Sequence, residues 1–300
     1  MPSPINGDRP LVMGILNVTP DSFSDGGEWF QRERAIMRAH EMIAEGADIV
    51  DVGGESTRPG ADPVPADEEM RRVIPVIEAL AGQVRVSIDT TKPAVAEAAV
   101  EAGATLVNDV SATLWPVAAR CGAGWVAMHR QGTAKSMQLD PHYDDVVAEV
   151  TAMLVDRAGQ AAAGGVEEVW IDPGIGFGKT VEHNLSLLGS VSDLVATGYP
   201  VLVGTSRKGF LGQVARSADG SVAPVADRLP ASLATATWAM QQGAQMVRVH
   251  DVSATVQAAL LVGRPGTVPA SPPDGRSRSS EAGEGRGNGP PASLPATSPG

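Results

Sequence analysis

Cysteine is nearly absent from this 300-residue chain. Cys121 stands alone, which excludes an intramolecular disulfide and any thiolate metal cluster, and a reducing cytoplasm suits such a chain. No run of 18 or more apolar residues occurs, so no transmembrane helix is expected. The opening MPSPINGDRP has no apolar core of a secretory signal. Cations are scarce as well: 23 Lys and Arg against 35 Asp and Glu give a net charge of −12. A chain this acidic is a poor partner for nucleic acid, whose binding depends on neutralising phosphates. It also lacks a polybasic stretch for an anionic membrane. If its substrate is an anion, the few cations must be gathered in one place. The five histidines have no paired metal spacing. His40, His142 and His183 are expected at the surface or in loops, and Cys121 as a small buried hydrophobe.

Hydrophobic residues make up 43% and charged residues 19%, enough for a sizeable core. Composition changes at residue 263. From Gly263 to Gly300, 22 of 38 residues are Gly, Pro or Ser. With few bulky apolar side chains, that tail cannot offset its ordering entropy and is expected to be disordered. The folded body is then 1–262, and it keeps the acidity, with 19 Lys and Arg against 32 Asp and Glu.

Within the body, short β-branched runs alternate with longer helical patterns. The runs are Leu11–Val18 and those starting at Ala47, Val84, Thr105, Gly124, Val169, Pro200 and Met246. Their nearly continuous apolar character predicts parallel strands buried on both faces. Val73, Val76, Ile77 and Leu80 form a helical stripe, as do Val146, Val150, Met153 and Leu154. Gly46, Gly103, Gly165 and Gly243 each precede a strand, where a left-handed helix stop is wanted. Eight strand–helix units in about 260 residues predict a (β/α)8 barrel, a TIM barrel of the α/β class. An open doubly wound sheet is the competitor, but it concentrates ligand groups at one switch point. Here nearly every strand ends on a polar side chain: Asn17, Asp51, Asp89, Asn108 with Asp109, His129, Asp172, Ser206, and Arg248 with His250. That favours a closed ring around one mouth.

DPGIGFGKT (172–180) looks like a phosphate-binding P-loop, but Pro173 stands where that motif requires glycine. More informative is MGILNVTPDSFSDGG (13–27). Asn17, Thr19, Asp21, Ser22 and Asp25 put five oxygen-bearing side chains in nine residues, and oxygen ligands suit Mg²⁺. This loop resembles the first signature of the dihydropteroate synthases, a family of pterin-binding barrels. GGESTRPG (53–60) resembles the second. The resemblance continues in order through IDT, NDV, MH, DPGIGFGK, GTSRKGFLG and VRVHDV, spanning about Leu11 to Val252.

The resemblance implies an enzyme that joins 6-hydroxymethyl-7,8-dihydropterin diphosphate to p-aminobenzoate and releases pyrophosphate. It implies that Asp172 accepts two hydrogen bonds from the guanidine-like pterin edge. Asp89 and Asn108 match the other polar pterin contacts, Met128 and Phe177 the apolar walls, and Lys208 a donor to a ring acceptor. Asn17, Arg58, Arg248 and His250 match the diphosphate site, with Asn17 the protein ligand to Mg²⁺. Arg248 and His250 alternate along one strand and so share a face. Phe23, Thr57, Pro59 and Ser206 match the aminobenzoate site. Asp25, Lys208 and Arg248 are the implied catalytic groups. A homodimer is what the family suggests.

Two departures stand out. Ala112–Gly124, with Trp115 in it, is shorter than the family pattern, and Arg130 replaces an apolar residue after the MH histidine. A methyltetrahydrofolate–corrinoid methyltransferase would need the pterin carboxylate and amide but no diphosphate site, so NVTPDSFSDGG, TRPG and SRK argue against it. A non-catalytic pterin-binding paralogue would not need Asn17, Asp25, Arg58, Lys208 and Arg248 together.

Overall fold

The computed structural model describes residues 9–19, 28–57 (28–30 by backbone alone), 60–133, 135–216 and 220–263. The Pro/Gly/Ser-rich tail beyond Gly263 lies outside these, as do Phe23, Asp25, Arg58 and Pro59. All eight expected strands form: β1 (Leu11–Asn17), β2 (Ile49–Gly53), β3 (Arg85–Asp89), β4 (Leu106–Asp109), β5 (Gly124–Met128), β6 (Val169–Asp172), β7 (Leu202–Val203) and β8 (Met246–Val249). They are parallel, in the order β6-β5-β4-β3-β2-β1-β8-β7. A parallel bridge between Ile171 and Val201 brings the two outer strands together. The sheet is therefore a nearly closed barrel, not the open doubly wound alternative.

The helices are α1 (Glu28–Ala44), α2 (Ala66–Leu80), α3 (Pro93–Glu101), α4 (Trp115–Cys121), α5 (Val146–Ala163), α6 (Val181–Gly189), α7 (Val191–Val195), α8 (Gly209–Val214), α9 (Leu229–Gln241) and α10 (Val252–Val262). Their apolar faces pack on the outside of the strands. α2 buries Val73, Val76, Ile77 and Leu80. α5 starts at Asp145, whose carboxylate accepts from the backbone N–H groups of Val147 and Ala148 at 3.0 Å, satisfying two donors that the first turn leaves open. The four strand-preceding glycines all take positive φ, from 96° to 118°, the conformation a helix stop needs. In the shortened segment, the Trp115 ring lies against Gly164 so closely that a Cβ there would fall 2.2 Å from Cζ3. Cys121 is half-buried against the core. His183 is not a loop residue: it sits in the first turn of α6, where its Nδ1 accepts from the Thr180 N–H and its ring meets Tyr143 edge-on. Among the described residues no helix is long and apolar enough to cross a membrane.

Two cores result. The larger lies between strands and helices. The smaller fills the barrel itself and consists of Met13, Ile49, Leu106, Val126, Trp170, Leu202 and Met246, with Leu11 beside them. Glu168 accepts from the Trp170 indole at 2.7 Å and pairs with Arg85 at 2.5 Å. The barrel is thus a packed plug rather than a pore, and it forms the floor of whatever lies above.

Candidate active site

Side chains alternate along a strand, so the residue two places after each plug residue also points inward, one layer nearer the carboxyl ends. The strands therefore raise Ile15, Asp51, Asn108, Met128, Asp172, Gly204 and Arg248 above Met13, Ile49, Leu106, Val126, Trp170, Leu202 and Met246. On β3, Ser87 and Asp89 follow the same alternation. An apolar layer thus carries a polar one. Five of the residues matched to pterin or diphosphate by sequence (Asp89, Asn108, Met128, Asp172 and Arg248) come together there.

Arg248 is the centre of this layer. Its Nε donates to Asp51 Oδ2 at 2.6 Å and its Nη2 to Asp89 Oδ2 at 2.7 Å. Asn108 Nδ2 donates to the same Asp51 oxygen at 3.0 Å. Asp51 is fully buried, and it is the site residue to which the sequence reading gave no role. Its position two residues after Ile49 in a buried run was the signal available. Burial pushes Asp89 upward, Arg248 opposes it, and Asp51 adds to the rise. Arg248 is raised despite its burial, chiefly by Asp51 and Asp89. Asp51 Oδ1, Asp89 Oδ1 and Ser87 Oγ are buried with no hydrogen-bond partner among the described residues.

Asp172 closes the other side. It is buried at 4% exposure, and its Oδ1 accepts from the Gly174 N–H at 2.7 Å. Burial raises this carboxyl, and Lys208, the Gly174 hydrogen bond, Arg248 and Lys179 pull it back. Lys208 donates to the Ile175 carbonyl and lies 4.7 Å above the centre of the Phe177 ring, a cation–π distance. Burial lowers Lys208 to about 8, with Asp172 opposing. Gly174 and Gly178 have positive φ, and a Cβ on them would meet the His129 and Gln131 carbonyls at 1.8 and 2.3 Å. The turn of residues 173–178 therefore lies backbone on backbone against the segment after β5. This, not phosphate binding, explains its glycines.

The remaining matches line the rim. Asn17 ends β1 and faces a cavity of about 320 Å³ lined also by Ile15, Leu16, Met42, Arg38, Arg207 and His250. Of its basic residues, Arg38 is paired with Glu41 and Glu45 and Arg207 with Asp251. Ser206 and His250 hold each other: the hydroxyl and Nδ1 are 3.0 Å apart, and the His250 N–H donates to Ser206 Oγ at 3.1 Å. Between Ser206 and Lys208, Arg207 takes a φ of 59°, which a bulky residue adopts only when over-determined. Here its N–H donates to Ser232 Oγ at 2.9 Å and its guanidinium pairs with Asp251 at 2.5 Å. Thr57 is half-buried after β2, in a loop fixed at Glu55, which accepts from the Val64 N–H at 2.7 Å and Lys92 at 2.6 Å. Among the described residues no group of three or more His, Cys, Asp or Glu is placed to hold a metal ion.

Asp172 and Asn108 thus present a carboxylate and an amide above the plug, with Arg248 beside them. Residues 13–250 match the family model described as pterin binding enzyme. The chain is 48% identical over 261 residues to a dihydropteroate synthase of Mycobacterium leprae, covering 84% of this chain and 92% of that one. Two solved structures of the Xanthomonas albilineans dihydropteroate synthase are similar in fold. One, with 4-aminobenzoic acid, has a TM-score of 0.77 at 47% identity, covering 84% and 92% of the two chains. The other, with 7,8-dihydropteroate, has a TM-score of 0.74 at 44% identity, covering 84% and 92%.

Proposed function

The chain belongs to the pterin-binding enzyme family, and from that premise we infer that it is a transferase of folate synthesis with dihydropteroate synthase activity. It condenses 6-hydroxymethyl-7,8-dihydropterin diphosphate with p-aminobenzoate. The bond from the pterin methylene carbon to the diphosphate oxygen breaks, and its electron pair leaves with pyrophosphate. The aryl amine nitrogen bonds to that carbon and loses a proton, giving 7,8-dihydropteroate. One observation carries the reading: Asp172 is buried above the barrel plug with Oδ1 fixed by Gly174, in a chain 48% identical to a dihydropteroate synthase.

The roles of individual residues are those the family resemblance implies. Asp172 accepts the pterin amino and ring N–H donors, two parallel bonds to one carboxylate. Asp89 and Asn108 meet other polar edges, Met128 and Phe177 wall the ring, and Lys208 donates to a ring acceptor. Arg248 and His250 stabilise charge developing on the leaving diphosphate, usually the largest catalytic contribution. Arg58, outside the described residues, joins them. Thr57, Ser206, Phe23 and Pro59 orient the aminobenzoate, and Asp25 stabilises the cationic methylene or takes the amine proton. Holding both reactants in one mouth removes much of the entropic barrier.

Mg²⁺ is proposed as the cofactor. The amide oxygen of Asn17 is a hard ligand of the kind Mg²⁺ takes. A site with a single protein oxygen completed by substrate phosphates is a usual Mg²⁺ arrangement. When bound, the ion would neutralise diphosphate charge. A homodimer is proposed on the exposed apolar residues Leu229, Trp238 and Leu260 of the neighbouring helices α9 and α10. The cytoplasm is proposed on the single cysteine.

The test is pyrophosphate release. It is expected only when both substrates and Mg²⁺ are present, and excess chelator should stop it. Release without p-aminobenzoate, or methyl transfer to a corrinoid, would overturn the reading.

A further inference from the structure

Lys179 has no place in the chemistry above, yet it is among the most buried cations of the chain, with 3% of its surface exposed. Among the described residues its Nζ makes no bond to a carboxylate. It lies 3.0 Å from His129 Nδ1, 3.0 Å from the Gly174 carbonyl, 3.0 Å from the Phe177 carbonyl and 3.4 Å from the His129 carbonyl. Burying an ammonium without a bonded counter-ion is costly, so the site must need what an ammonium offers: several donors on one flexible stem.

That need has a visible origin. Gly174 and Gly178 pack backbone on backbone against the segment after β5, and this packing turns the carbonyls of His129, Gly174 and Phe177 into a shared interior. A buried carbonyl without a donor costs free energy. The three N–H groups of Lys179 reach Gly174 O, Phe177 O and His129 Nδ1 at 3.0 Å, with the His129 carbonyl farther off at 3.4 Å. From the other side, Lys208 grips the same turn through the Ile175 carbonyl and the Phe177 ring. Lys208, however, is the lysine that faces substrate. A lysine that turns to a substrate must release Ile175, and the turn then depends on its second grip.

We propose that Lys179 is a positioning residue that clamps the 173–178 turn, and through Gly174 the Asp172 carboxylate, so that Lys208 can leave Ile175 for the pterin. The inference rests on the reading of Asp172 and Lys208 as pterin contacts. It also fixes a tautomer. Burial lowers Lys179 to about 7, with Asp172 opposing. Below that pH it is an ammonium, which only donates, so His129 Nδ1 is then the acceptor and the ring proton sits on Nε2. Burial, reinforced by Lys179, holds His129 down at about 3, so the ring stays neutral.

Two measurements test the clamp. In the wild-type protein, ¹⁵N NMR of the imidazoles is expected to show His129 as the Nε2–H tautomer, unchanged from pH 6 to pH 5, where Lys179 is charged. A proton on Nδ1, or titration in that interval, overturns the proposal without any variant having to fold. In the second, Lys179→Met is expected to raise KM for the pterin diphosphate at least tenfold while KM for p-aminobenzoate stays within threefold. Lys179→Gln, which keeps an amide donor, should recover part of the loss. The acid limb of kcat/KM for the pterin should also move to higher pH. Asp172 faces Lys208, Arg248, Lys179 and the Gly174 N–H, and one of its three cations is gone. Equal rises in both KM values, or no rise, overturn the clamp. Wild-type protein that releases no pyrophosphate from the two substrates would instead sink the functional reading, while the His129 tautomer would still decide the clamp.

Discussion

Arg248 and Asp51, 197 residues apart in the chain, meet inside the barrel with Nε donating to Oδ2 at 2.6 Å. The same guanidinium holds Asp89 at 2.7 Å. One cation therefore serves two buried carboxylates, and Asn108 donates to the same Asp51 oxygen. Arg248 thus orders the polar layer above the plug.

Arg248→Ala should therefore cost stability as well as activity. Breaking a buried pair costs about 3–5 kcal/mol because the partner charge is left uncompensated. The deficit should depend on pH in a definite direction. Burial already raises Asp89 from 3.8 to about 7, and losing Arg248 removes the opposing pull. A carboxyl raised in the folded state gives its full stability below the unfolded value and loses it as pH rises through the folded one. Urea unfolding should show a larger deficit at pH 8 than at pH 5. Equal deficits would contradict this account.

Lys208 titrates in the opposite sense. Its folded value of about 8 lies below its ordinary 10.5. Between the two, the unfolded chain binds the extra proton, so stability rises with pH across that window and the burial penalty is fully present below it. Lys208→Met should raise Tm at pH 7, by about 2–4 °C per kcal/mol for a domain of this size, while lowering turnover. The gain should shrink above pH 10. Scanning calorimetry at the two pH values, with an activity assay on the same samples, checks it. A lower Tm at pH 7 would show that the bond to Ile175 outweighs the burial cost.

Much of this was legible in the sequence, and for identifiable reasons. Strands buried on both faces are short β-branched runs, so VRVSID and LVND stood out, and Asp89, Asn108 and Asp172 marked their ends. The links between distant segments were not legible. Nothing near Asp51 announces a partner 197 residues away. Arg207 gives no local hint of its positive φ, since Ser232 and Asp251 impose it from other segments. Lys179 stood in a motif that merely looked like a P-loop, and its hydrogen bonds depend on how the turn folds against β5.

The apolar face of α9 and α10 makes a prediction about assembly. Trp238 is 57% exposed and Leu260 49%, on two helices that pack against each other, and exposed large apolar side chains are candidates for an interaction site. Wild-type protein should elute as a dimer at micromolar concentration. Trp238→Glu combined with Leu260→Glu should elute as a monomer with its barrel intact, as circular dichroism would show. Light scattering on the eluting peak distinguishes the two, and a monomeric wild type would refute the dimer.

Asp172→Asn separates recognition from folding most cleanly. The Gly174 N–H bonds only Oδ1, and an asparagine amide oxygen can accept that bond equally well, so the turn should survive. The second position is different. Where a carboxylate offers another acceptor to the pterin edge, the amide presents N–H donors to donors. A mismatched polar pair in a dry pocket costs about 3–5 kcal/mol, by analogy with a broken buried pair. Since about 1.4 kcal/mol is tenfold, kcat/KM should fall on the order of a hundredfold to several thousandfold. Stability should move the other way. Burial raises the Asp172 carboxyl, so ionising it in the folded state carries a cost that grows as pH rises above 3.8, its ordinary value, and asparagine removes that cost. Tm of the variant should equal or exceed wild type at pH 7, and the difference should vanish near pH 4. A folded Asp172→Asn protein with near-normal turnover would remove Asp172 from the pterin site, whereas lost turnover with a collapsed Tm would make it a turn residue first.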